Sequence, residues 1–158
     1  MSTTVTLDRA ASKQIAHELS IFLADSYLLY VKSQNFHWNV TDARFFSLHK
    51  FLEEQYEELA EAIDVIAERV RALGEKAPGS MQQFLNLTRL EESPPTLSAD
   101  EMLKTLLNNH ESIIEWLRTH IEETANRGDQ GTADLYINRL RTHEKTAWML
   151  RSHLKGAL

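Results

Sequence analysis

Residues 42–73 read DARFFSLHKFLEEQYEELAEAIDVIAERVRAL. Leu48, Leu52, Leu59, Ile63, Ile66 and Val70 recur there at three- and four-residue steps or their multiples, the period that lines one face of an α-helix. Gly74 follows as a helix stop. Working outward, the same period runs upstream over about 8–33 through Ile15, Leu19, Phe22, Ser26 and Leu29. Downstream, Ser98 followed by Glu101 is a capping box that opens a third helix. Its stripe is Leu103, Leu106, His110, Ile113, Leu117 and Ile121. A fourth segment, about 132–154, carries Ala133, Ile137, Leu140, Ala147 and Leu150. No segment alternates as a strand does. The expected fold is therefore all-α, a four-helix bundle whose second and third helices are joined by a long crossover, 75–97. Such a long connection carries local structure or a task, and residues 81–87 fit a short extra helix. Ferritin-like and up-up-down-down topologies both satisfy this pattern.

The breaks agree. Four of the 5 Gly and all 3 Pro gather in 74–79 (GEKAPG), 94–95 and 128–131 (GDQG), leaving the segments between them uninterrupted. At 158 residues the chain predicts one domain, 1–158, with a short flexible tail at about 1–7. It holds no Cys, which excludes Cys-based zinc sites, iron–sulfur clusters and thiol catalysis, and makes a reducing cytoplasm the expected location. No apolar run is long enough to span a bilayer, and the first residues do not pattern as a signal peptide. The formal net charge of −6 argues against an electrostatically driven nucleic-acid binder and suits a protein that attracts cations.

His49 and Glu53, and again Asp64 and Glu68, are i, i+4 pairs on the second helix, with His37 just upstream. At 100° per residue, the eleven steps from Glu53 to Asp64 return to within about 20° of the same direction. All four side chains thus point broadly one way. The distance between pairs is too large for one ion: His49 and Asp64 stand about 22 Å apart along a helix, whereas a metal–ligand bond is about 2 Å. Two readings follow. The residues are a solvated acidic face, or a second copy of the helix supplies the missing half. The numbering fits the second reading, because one midpoint, between residues 58 and 59, bisects both 49 and 68 and both 53 and 64. A two-fold axis there would create two identical mixed sites. Imidazole with carboxylate and no sulfur suits iron(II) and admits zinc, manganese or cobalt.

Residues 32–40 (KSQNFHWNV), Leu48-His49, Phe51-Leu52-Glu53-Glu54 and residues 63–69 (IDVIAER) closely resemble the Dps family, the DNA-protection-during-starvation mini-ferritins. The similarity continues through Leu73-Gly74, Gly128-Asp129, Thr132-Ala133-Asp134, residues 143–145 (HEK) and residues 148–150 (WML), and so covers most of the chain. It implies a ferritin-like bundle assembled as a hollow dodecamer. It also implies ferroxidase centres between two-fold related subunits, iron(II) oxidised with hydrogen peroxide in preference to dioxygen, and iron(III) mineral stored inside. Two irons would occupy each centre, with zinc or another divalent metal able to substitute. His37, His49 and Glu53 would come from one subunit, and Asp64 and Glu68 from its partner. Glu53 departs from the Asp that many members have there, which lengthens the carboxylate but keeps its chemistry. Trp38 would either pass an oxidising equivalent or pack, partly buried, at the interface.

The resemblance also implies acidic pores at three-fold axes for iron inlet, where Asp134, Asp129 and Glu122 are the candidates and a solvated surface acid is the ordinary alternative. Of the remaining histidines, His110 and His143 lie on apolar stripes as expected core or interface groups, and His17, His120 and His153 have no ligand-spaced partner. Some family members bind DNA through a Lys-rich tail, but residues 1–13 offer only Arg9 and Lys13, opposed by Asp8. Twelve chains at −6 each would carry −72, so weak or absent DNA binding is expected, with protection arising chemically. The competing readings are a nucleoid-binding structural protein with a secondary metal site and a bundle using zinc structurally.

Overall fold

The computed structural model describes residues 7–154. The expected tail, apart from Leu7, lies outside them, as do the last four residues. Among the described residues there are five α-helices and no strands: α1 (Arg9–Asn39), α2 (Phe45–Ala72), α3 (Met81–Leu87), α4 (Ala99–Asn126) and α5 (Gln130–His153). The four long helices form the bundle, α1 paired with α2 and α4 with α5, while α3 lies against α1. None of them is long and apolar enough to cross a membrane.

Helix α1 extends past Ser33 to Asn39. Its apolar stripe continues through buried Ser33 and Phe36 to Val40, so nothing local stops it. This extension is what brings His37 onto a helix. At the other end Asp8 caps α1 by accepting from the Ala11 N–H. The 40–44 turn is pinned by Arg44, which bonds Asp42, the carboxylate of Asp100 at the start of α4 and the carbonyl of His153 at the end of α5.

Both mid-chain stops use a glycine in the left-handed region, Gly74 at φ 93° and Gly128 at φ 90°. Each sits in a Schellman motif. The N–H of Gly74 donates to Arg71 and that of Glu75 to Val70, and the N–H of Gly128 donates to Ala125 and that of Asp129 to Thr124. Asp129 then caps α5 by accepting from the Thr132 N–H, so one residue closes α4 and opens α5.

The crossover is anchored on α1. Asp25, fully buried, accepts from the Thr88 hydroxyl at 2.8 Å, the Arg89 N–H at 2.7 Å and the Arg89 guanidinium. Phe84 of α3 stacks on Tyr27, ring centroids 4.4 Å apart. Buried Lys32 donates to the Glu91 carbonyl and to Asn109 on α4, both at 2.7 Å. Burial pushes its ammonium below the ordinary lysine range despite Glu92 and Glu91. The connection therefore fastens α1 to α4, holding together the two helix pairs.

Candidate metal centre

His37 lies in the last turn of α1 and His49 near the start of α2, and the short turn between them stacks the rings, centroids 3.8 Å apart and 14° from parallel. The two residues exchange hydrogen bonds. His37 Nδ1 meets the carbonyl of His49 at 2.7 Å, and His49 Nδ1 meets the carbonyl of His37 at 2.8 Å. A carbonyl only accepts, so both Nδ1 atoms are protonated and donate. In the neutral rings each Nε2 then keeps its lone pair, the tautomer a metal requires, fixed by the same kind of outer bond that orients metal-bound histidines generally. The exchange also satisfies one of the carbonyls that the end of α1 leaves without a helical partner. Phe45 stacks on His49 at 5.0 Å, and Tyr56 meets His37 edge-on at 5.2 Å.

Glu53 follows one turn after His49. Lys50 bonds it at 2.9 Å, and that bond and charge, aided by the two imidazoles, hold its carboxyl below the ordinary glutamate range. His37 and His49 are thus brought together, and Glu53 lies near enough for its carboxylate to feel both rings. Asp64 and Glu68 form a separate exposed pair further along α2. A hydrogen bond that Glu68 can donate to the Asp64 carboxylate only when protonated, together with the like charge of Asp64, pushes Glu68 upward. Because α2 runs unbroken from Phe45 to Ala72, His49 and Asp64 stay about 22 Å apart along its axis, and Glu53 and Asp64 about 16 Å.

Around the histidines the surface is apolar. Within the single chain Trp38 is 64% exposed and Phe46 is 75% exposed, because nothing in the same chain covers the outer side of this corner. Of the acids expected at a pore, Asp134 and Glu122 are exposed. Asp129 is only 2% exposed and is withdrawn from that expectation. Its carboxylate is held by the Thr132 N–H, the Thr132 hydroxyl and Arg69 at 2.7 Å, so it is a helix cap locked by an ion pair.

His110 and His143 are buried and bond each other, Nδ1 to Nδ1, at 2.8 Å. Spacing gives His120 no partner; in the fold its ligand atom lies within 4.8 Å of those of Glu18 and Glu123. Glu123 is legible as an i, i+3 neighbour, whereas Glu18 comes from α1, on the far side of the sequence.

The sequence matches the ferritin-like domain over residues 16–157. A low temperature-induced protein of Nostoc sp. is 48% identical over 136 residues, covering 85% of this chain and 76% of that protein. DNA protection during starvation protein 2 of Bacillus anthracis is 36% identical over 143 residues, covering 90% and 98% respectively. The chain belongs to the Dps family. The structure of a Dps protein from Vibrio cholerae O1, described as one of the ferritin-like diiron-carboxylate proteins, matches at a TM-score of 0.91 and 29% identity. That match covers 98% of this chain and 99% of the Vibrio protein. The long crossover with its short helix and the α1–α2 corner thus belong to a Dps fold.

Proposed function

We propose that this protein is a mini-ferritin that oxidises iron(II) at centres shared between two-fold related subunits and stores the iron(III) product inside a hollow oligomer. The observation that carries this reading is the reciprocal His37–His49 exchange, which leaves two Nε2 lone pairs and the Glu53 carboxylate on one apolar-rimmed corner. A single chain offers that corner no further carboxylates of the α2 set. An antiparallel second copy of α2 would bring Asp64 and Glu68 to it, and the exposed Trp38 and Phe46 give that copy an apolar surface to cover.

Iron is the substrate. Each iron(II) bound by imidazole and carboxylate gives up one electron. Two electrons and two protons convert one hydrogen peroxide to two waters, so a pair of irons fits this oxidant. Carboxylates favour the harder iron(III) product. Glu53 and the partner subunit's Asp64 and Glu68 would supply that charge. Exposed Asp134 and Glu122 are our candidates for the iron inlet at three-fold pores of a dodecamer. The chain acts as one ferritin-like domain in the cytoplasm. With a formal charge of −6 per chain, we read protection of DNA as chemical, through removal of iron and peroxide.

The test is iron(II) oxidation by peroxide in the assembled H37G/H49G variant. The rate should fall at least tenfold, in line with losing ligands rather than packing. Oxidation at the native rate would overturn the assignment.

A further inference from the structure

A second cluster of metal-binding side chains lies between α1 and α4. Glu18, His120 and Glu123 each offer a ligand atom, and these atoms lie within 4.8 Å of one another. We propose that they form a separate site for one first-row divalent cation of the zinc or iron(II) type. Nineteen residues of continuous α1 separate Glu18 from His37, about 28 Å of helix. The site is therefore remote from the proposed oxidation centre and does not rest on that reading.

The ring of His120 is prepared as a ligand. Its Nδ1–H donates to the Trp116 carbonyl at 2.8 Å, which leaves Nε2 as the free nitrogen, and it stacks on the Trp116 ring with centroids 3.7 Å apart. Glu18 is only 6% exposed. Its Oε1 accepts from Gln14 at 3.0 Å and from Arg127 at 2.8 Å, which uses both lone pairs. Its Oε2 accepts a single bond, from Arg127 at 2.9 Å, so one lone pair there remains. Arg127 and Gln14 thus hold the buried carboxylate and present one atom of it, the outer support that ligating carboxylates usually have. Glu123, exposed and one turn from His120, completes the set. Ligands about 2 Å from one ion stand roughly 3 to 4 Å from each other, so atoms already within 4.8 Å of one another are close to the spacing of a bound set. One nitrogen and two carboxylates favour a first-row ion over calcium or magnesium, whose sites are built from oxygen.

Cobalt(II) is the probe, because it binds such sites and quenches the emission of a tryptophan in contact with its ligand. Full-length assembled protein carrying H37G/H49G removes the other centre. At micromolar cobalt this protein should bind one ion per chain at the cluster and lose Trp116 emission. Adding H120A/E123Q should remove that ion and the quenching together. Adding W116F instead should remove the quenching and keep the ion. The proposal is overturned if H120A/E123Q leaves cobalt stoichiometry unchanged, or if only millimolar cobalt quenches, which would mark an adventitious ion only.

Discussion

Two histidine pairs in this chain use the same side chain for opposite purposes. His37 and His49 spend their Nδ1 protons on carbonyls and keep Nε2 for a ligand. His110 and His143 spend their nitrogens on each other. Arg139 approaches His143 Nε2 at 3.4 Å and donates, so the proton of His143 sits on Nδ1 and is given to His110. Burial holds the pKa of His110 down to about 3, with a small contribution from Arg139; burial, then His110 and Arg139, hold His143 well below the usual value. The sign follows from where protons bind. Between about pH 3 and 6.5 the unfolded chain protonates His110 and the folded chain does not, and His143 is shifted in the same direction. Their contribution to stability is complete above the unfolded value and is lost as pH falls below it, by up to about 1.4 kcal/mol per pH unit for each histidine. Denaturant unfolding at fixed protein concentration should therefore show stability dropping from pH 6.5 to 5. In H110Q/H143Q most of that slope should vanish, and an unchanged slope would mean that the pair is not the cause.

At the scale of elements, one carboxylate makes three of the hydrogen bonds that hold the crossover to α1. Asp25 is fully buried and takes three donors from Thr88 and Arg89, and replacing it with Ala removes the acceptor of the Thr88 hydroxyl, the Arg89 N–H and the Arg89 guanidinium, which itself reaches solvent. D25A should cost about 2 kcal/mol. The loss should also be local, with amides of residues 88–91 exchanging much faster while those in the middle of α5 follow only global stability. Equal protection of residues 88–91 in D25A and native protein would show that the apolar contacts of α3 suffice. This anchor also marks what a sequence can disclose. The capping box of Ser98 and Glu101 and the stop at Gly74 were readable because both partners lie within a few residues. So was the short helix at 81–87. Asp25 lies 63 and 64 positions from Thr88 and Arg89, and Glu18 lies 109 from Arg127, and no periodicity records such pairs. Asp129 shows the opposite difficulty. An acid in a glycine-rich turn reads as surface charge, and only the approach of Arg69 from α2 reveals a buried cap. In α1 the sequence pattern is followed only to about residue 33, although Ser33 and Lys32 are buried and the helix continues to His37 and beyond.

For the whole molecule, the unbroken run of α2 is the feature that makes assembly part of the proposed chemistry. If each centre takes His37, His49 and Glu53 from one subunit and Asp64 and Glu68 from the other, two defective chains can repair each other. A two-fold pair made from one H37G/H49G chain and one D64N/E68Q chain places both defects in one centre and leaves the second centre wholly native. Dissociated subunits mixed in equal amounts and reassembled at random form such mixed pairs half of the time. About a quarter of all centres would then be native in composition, although neither variant alone contains any. The expected result is peroxide-dependent iron(II) oxidation in the mixture at about a quarter of the native rate, against near-background rates for each variant assembled alone. A centre completed within a single chain gives no recovery on mixing, because every centre would then carry a defect of its own chain. Recovery also has to depend on reassembly: the two variants assembled separately and only then combined should stay inactive, since their two-fold pairs have not exchanged partners.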